Sequence, residues 1–170
     1  MGAEAVFRAL RHEDLAAVAA LARHVWQATY PGIISQAQID SMLAARYNPK
    51  ALADYLNAED RWFEVVETSG RLAGFCATEI HRGEFKIDKI YIAPERQRDG
   101  LGGRLIARAA QRARALGYAH LILAVNKRND SAIAAYRKHG FVVRDSVCVD
   151  IGNGFVMDDF IMQKAIEKSL

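Results

Sequence analysis

Apolar residues recur along this chain with two periods, and the places where one gives way to the other divide it into eleven segments. A short run over 6–9 reads as an opening strand. His12, Glu13 and Asp14 supply acidic residues and a cap for an apolar helix running to about residue 28, which Tyr30-Pro31-Gly32 ends. Ser35 followed by Gln38 resembles a capping box. The helical spacing beyond it, through Met42 and Leu43 to Leu56, is interrupted at Asn48-Pro49, so two helices or one broken helix are expected.

β-rich runs over 62–67 and 72–80, joined by Ser69-Gly70, read as a hairpin, and a third run over 85–92 follows the turn His81-Arg82-Gly83. Over 101–116, Leu105, Ile106, Ala109, Ala110 and Ala113 fall at helical spacing, with Gly117 closing the helix. The stretch 121–125 is apolar throughout, as in a buried parallel strand. A helix over 131–139 ends at Gly140, and strands over about 141–150 and 155–163 finish the chain. The order β-α-α-β-β-β-α-β-α-β-β predicts an α/β (α+β) fold built on a mixed sheet. No period of 20–50 residues repeats and the three prolines are isolated, so 1–170 reads as a single domain.

Composition sharpens this picture mainly by exclusion. With 170 residues, 51% of them hydrophobic and 25% charged, the chain can build one proper core. Its longest apolar run, over 15–22, is eight residues, far short of the roughly 20 of a membrane span. The N-terminal residues lack a secretory pattern, so a cytoplasmic location without membrane partners is expected. Cys76 and Cys148 stand outside any CxxC pair and are expected to be reduced and half-buried in strands. His12, His24, His81, His120 and His139 show no ligand spacing, so no metal is expected. The net charge of +3 hides an asymmetry: residues 1–81 carry 7 basic and 10 acidic side chains (−3), residues 82–170 carry 16 and 10 (+6). One half suits a cation, the other an anion.

The chemistry concentrates where the strand ending at Ile90-Tyr91-Ile92 feeds Pro94-Glu95-Arg96-Gln97-Arg98-Asp99-Gly100-Leu101-Gly102-Gly103 and opens a helix. Such a junction presents unpaired N–H groups and a positive dipole end to phosphate oxygens. A nucleoside-triphosphate loop would need GxxxxGK[ST], and a dinucleotide fingerprint would need glycine at Leu105, so neither fits. The string Gln97-x-x-Gly100-x-Gly102 resembles the acetyl-CoA loop of the GNAT superfamily of N-acetyltransferases. A second stretch, Asn129-x-x-Ala132-x-x-x-Tyr136-x-x-x-Gly140-Phe141, matches that family's later motif at the expected distance. The resemblance covers about 62–164 well.

The resemblance implies a mostly antiparallel sheet flanked by helices, with splayed central parallel strands over 85–92 and 121–125. It implies transfer of the acetyl group of acetyl-CoA to a primary amine by direct attack in a ternary complex. N–H groups around Arg98, Asp99, Gly100, Gly102 and Gly103, with Gln97 and Leu101 of the same motif, would hold the pyrophosphate. The pantetheine arm would bond backbone at Ile90 and Ile92, beside Tyr91. Asn129 either touches that arm or caps a helix. Tyr136 either protonates the departing thiolate, which a phenol near pKa 10 can do, or packs on the sheet. Many relatives carry glutamate at the position of Lys86. Asp88 and Glu79 are the nearest carboxylates, each a base acting through water or a solvated strand residue, unless the amine arrives neutral.

Trp26 and Tyr30 occupy a region that borders the acceptor pocket in this fold, where aromatics can stack on a cationic amine; helical spacing suits Trp26 equally to the core. The tail Phe155-Val156-Met157-Asp158-Asp159-Phe160-Ile161-Met162 is similar to polyamine acetyltransferases of the PaiA type, which makes a small amine such as spermidine the expected acceptor, beside protein N-termini. A homodimer is a further expectation from the family. An acetyl-CoA sensor without turnover is an alternative, given Lys86. Six arginines over 96–114 raise nucleic-acid binding, but Arg104, Arg108 and Arg112 share one helix face and no recognition motif accompanies them, so no nucleic-acid partner is expected.

Overall fold

The computed structural model describes residues 4–167. The elements are β1 (Ala5–Ala9), a 3-10 turn (His12–Asp14), α1 (Leu15–Thr29), α2 (Gln36–Arg46), α3 (Pro49–Ala53), β2 (Arg61–Thr68), β3 (Arg71–His81) and β4 (Glu84–Ile92). A second 3-10 turn (Pro94–Arg96), α4 (Leu101–Ala115), β5 (His120–Asn126), α5 (Asp130–Lys138), β6 (Val142–Gly152) and β7 (Phe155–Ala165) follow. The strands form one sheet in the order β1-β2-β3-β4-β5-β7-β6. Its β4–β5 pairing is parallel, over Phe85–Leu121 to Ile87–Leu123, while β1–β2, β2–β3, β5–β7 and β6–β7 are antiparallel. No described helix is long and apolar enough to cross a membrane.

Local chemistry explains most boundaries. Ser35 Oγ accepts from Gln38 N at 3.1 Å to start α2, and Asn48 Oδ1 accepts from Ala51 N at 2.8 Å, with Pro49 at the first position of α3. Two expectations shift. The carboxylate of Asp14 does not cap α1; it accepts from Arg11 N at 2.7 Å and from both terminal nitrogens of Arg8 at 2.7 and 2.9 Å. Helix α3 stops at Ala53, and Tyr55 and Leu56 continue only as tight turns on Leu52 and Ala53.

Two compact units are present: residues up to Glu79 with Lys89–Leu105, and Ile80–Asp88 with residues from Ile106 on. In the first, α1 packs with α2 and α3, and Val18, Val25, Ile39, Leu52, Val65 and Phe75 are fully buried. In the second, Phe85, Leu121, Leu123, Phe141 and Met162 are buried, as are Ile106, Ala109 and Ala113 on the apolar stripe of α4. Edge strand β6 is exposed along its length apart from half-buried Val147. The two cysteines are not both half-buried: Cys76 on β3 is buried and Cys148 on β6 is exposed, because β3 lies inside the sheet and β6 at its edge.

Candidate active site

The phosphate-type loop belongs to the first unit. Where β4 ends, Ala93 N donates to Ala73 O at 2.7 Å; Arg96 N then closes on Ala93 O at 2.8 Å and Asp99 N on Arg96 O at 3.3 Å. The Arg96 guanidinium pairs with the Asp99 carboxylate at 3.0 Å. Gln97 is exposed, and its Nε2 donates to Ile92 O at 3.3 Å, tying the loop back to the end of β4. Gly100 sits at φ +76°, where a Cβ would be strained, and its carbonyl accepts from Arg104 N at 3.3 Å as the first bond of α4. The N–H groups of Leu101, Gly102 and Gly103 therefore lie in a first turn that has no carbonyl partners of its own. Leu101 is buried and anchors that turn. A Cβ at Gly102 would meet nothing closer than Ile92 Cγ1 at 3.9 Å, and one at Gly100 nothing within 4 Å. Bare backbone donors at a positive helix end, with open space over two glycines, fit a pyrophosphate.

The same unit holds an aromatic cluster. Tyr30 and Tyr91 join their hydroxyls at 3.0 Å across 61 positions of sequence. Trp26 packs on Tyr30 with centroids 4.3 Å apart and planes tilted by 40°, and approaches Tyr47 at 5.6 Å and Tyr91 at 6.0 Å. At 2% exposure Trp26 is a core residue, and its indole N–H finds no acceptor among the described residues. Tyr30 and Tyr91 are half-buried. Glu79 is half-buried on β3, in register with Arg61 and, by the two-residue period, on the face of Phe75 and Ala77.

Sequence reasoning missed Lys89 in this cluster. It is 5% exposed, donates to the Tyr55 hydroxyl at 3.2 Å, and lies 5.2 and 5.4 Å from the ring centres of Tyr47 and Tyr55. The available sign was parity: Lys89 shares the inward face of β4 with Phe85 and Ile87, while Lys86 and Asp88 take the other. Ile90 and Ile92 continue that second face, where Asp88 is half-buried.

In the second unit, Asn129 is buried as the N-cap of α5, its Oδ1 accepting from Ala132 N at 3.3 Å. The capping reading of this residue is thus realised. Helix α5 ends on Gly140 at φ +90°, with Gly140 N donating to Arg137 O at 3.1 Å and Phe141 N to Tyr136 O at 3.0 Å. This reversal turns buried Phe141 back against half-buried Tyr136, their rings edge to face at 5.7 Å. The Gly-Phe pair of the second motif therefore orients the tyrosine four residues before it.

Residues 18–141 match the family described as Acetyltransferase (GNAT) family. The chain belongs to the GNAT acetyltransferase family. Similar proteins include a spermidine N(1)-acetyltransferase of Thermoplasma acidophilum, 27% identical over 164 residues that cover 94% of this chain and 96% of that protein. A streptothricin acetyltransferase of Streptomyces lavendulae is 39% identical over 87 residues, 50% of this chain and 46% of that protein. The crystal structure of the PaiA N-acetyltransferase from Thermoplasma acidophilum in complex with coenzyme A superposes with a TM-score of 0.83 at 27% identity, covering 95% of this chain and 99% of that one. The fold is the GNAT fold, and the protein is an acetyl-CoA-dependent N-acetyltransferase, as the two motifs implied.

Proposed function

We propose that this GNAT enzyme acetylates a small primary amine, a polyamine such as spermidine being the first choice, by direct attack in a ternary complex. The observation that carries this reading is the Tyr30–Tyr91 hydroxyl pair at the half-buried part of an aromatic cluster, which suits a cationic amine seated on rings with an oxygen to accept its N–H. Likeness to a spermidine acetyltransferase along nearly the whole chain supports the same acceptor class.

Bound acetyl-CoA supplies an acetyl group activated as a thioester. The first-turn N–H groups of α4, with those of the loop around Arg98 and Gly100, hold pyrophosphate oxygens, while the Asp99 N–H is engaged by Arg96 O. The backbone of Ile90 and Ile92, beside Tyr91, offers strand-like bonding to the pantetheine arm, with Asn129 also assigned to it. Tyr136 keeps a proton on its phenolic oxygen for a leaving thiolate. Glu79 or Asp88 takes one proton from the ammonium so that a neutral nitrogen attacks the thioester carbon. The second proton, shed by nitrogen as the C–N bond forms and the C–S bond breaks, leaves to water. Glu79 is preferred because it shares the sheet face of the aromatic cluster.

The test is thiol release from acetyl-CoA across spermidine, spermine, diamines, aminoglycosides, amino acids and a peptide with a free N-terminus, against a control without acceptor. Release with polyamines establishes the reading. Release only with the peptide replaces it, and silence throughout with tight acetyl-CoA binding overturns the polyamine reading and leaves an acceptor outside the panel or a sensor.

A further inference from the structure

The end of β4 is held by an irregularity in β3. Val66 pairs with Gly74 and Glu67 with Leu72, so Ala73 is an extra residue in β3, a bulge. Its carbonyl accepts from Ala93 N, the first residue beyond β4. Next to it, a Cβ on Gly74 would stand 2.5 Å from Ile92 Cδ1, 2.7 Å from Tyr91 O and 3.3 Å from Ile92 Cα. The φ of Gly74 is not in the left-handed region, so the need for glycine there is one of space. Ile92 reaches from this contact to the first turn of α4, where its Cγ1 lies 3.9 Å from the Cβ position of Gly102. Its carbonyl also receives the Gln97 brace.

We propose that Gly74 is a positioning residue for the cofactor loop, acting through Ile92: the bare Cα lets β4 seat closely on β3, and Ile92 transmits that seating to the N–H groups around Gly102. The inference rests on the reading that this loop holds the pyrophosphate. Gly74→Ala forces the Tyr91 carbonyl or the Ile92 side chain to move by several tenths of an ångström. Sites of this kind lose affinity steeply on small displacements.

Coenzyme A binding by calorimetry and thermal melting are measured for wild type, Gly74→Ala, Gly74→Ala/Ile92→Val and Ala93→Pro. Gly74→Ala is expected to weaken coenzyme A about tenfold or more, and Ile92→Val, which deletes Cδ1, to restore part of the loss while Tyr91 O stays crowded. A structural role alone would lower the melting temperature and leave affinity within about twofold, and that result overturns the proposal. If Gly74→Ala does not fold, Ala93→Pro decides. It removes the N–H given to Ala73 at φ −50°, which proline adopts, so weakened coenzyme A binding supports the proposal and unchanged binding overturns it. Gly102→Glu separates the layers: tight binding by that variant refutes the loop reading itself, whereas loss there beside unchanged binding in Gly74→Ala refutes only the positioning role.

Discussion

Gly102→Glu separates binding from folding in opposite directions. The position is the second residue of α4, outside the left-handed region and with no heavy atom nearer than 3.9 Å to an added Cβ, so the backbone and the first side-chain carbon are accommodated without a clash. A carboxylate in the first turn interacts favourably with the helix dipole, by about 0.3–1 kcal/mol, in addition to the gain of roughly 0.5–1 kcal/mol on leaving glycine inside a helix. Thermal stability should therefore hold or rise. The same carboxylate occupies the anion cradle and repels pyrophosphate. Losing two hydrogen bonds to a charged group, at about 1.5–3 kcal/mol each, predicts coenzyme A binding weaker by roughly a hundredfold to ten-thousandfold. Calorimetric titration with coenzyme A and a melting curve on the same preparation read both effects. Affinity within about threefold of wild type in a stable variant would refute the cradle.

Tyr136→Phe keeps the edge-to-face contact with Phe141 but removes the phenolic proton, so kcat should fall by about 10²-fold while coenzyme A affinity stays level. Tyr30→Phe breaks the hydroxyl pair with Tyr91 and should raise the acceptor KM several-fold with little change in the acetyl-CoA KM, read by steady-state kinetics. Glu79→Gln and Asp88→Asn should differ, the former flattening the acidic limb of the pH–rate profile and the latter leaving it in place. Hydrogen bonds from the Arg8 guanidinium, followed by the Arg11 N–H, hold the Asp14 carboxyl below its ordinary range against burial. Its folded pKa is below its unfolded one, so the stabilisation is present above about pH 4 and is lost as pH falls through the folded value. Melts between about pH 6 and 2 should show this loss, reduced in Asp14→Asn, which costs about 1–3 kcal/mol at neutral pH.

What the sequence determined by itself was local. Periodicity laid out the strands and helices, Ser35 marked a helix start, Asn48-Pro49 marked the break between α2 and α3, and Gly117 and Gly140 marked helix ends. The two motifs were legible for the same reason: a strand, a glycine turn and a helix start form one continuous stretch whose chemistry travels with it, as does Tyr136 with the Gly-Phe reversal. The helix expected to reach Leu56 stopped at Ala53, and the cap expected from Asp14 failed because its carboxylate was taken by Arg11 N and the Arg8 guanidinium. Asp14 went to Arg8, which also reaches Glu67 at 2.7 Å. Cys76 and Cys148 read alike in sequence and separated only when strand order put one inside the sheet and one at its edge. Lys89 among Tyr47 and Tyr55, Tyr30 against Tyr91, and Gly74 beneath Ile92 were decided by tertiary structure. Alternation tells which way a strand residue faces, but what it meets there depends on register and packing between segments tens of residues apart, and no local pattern encodes that.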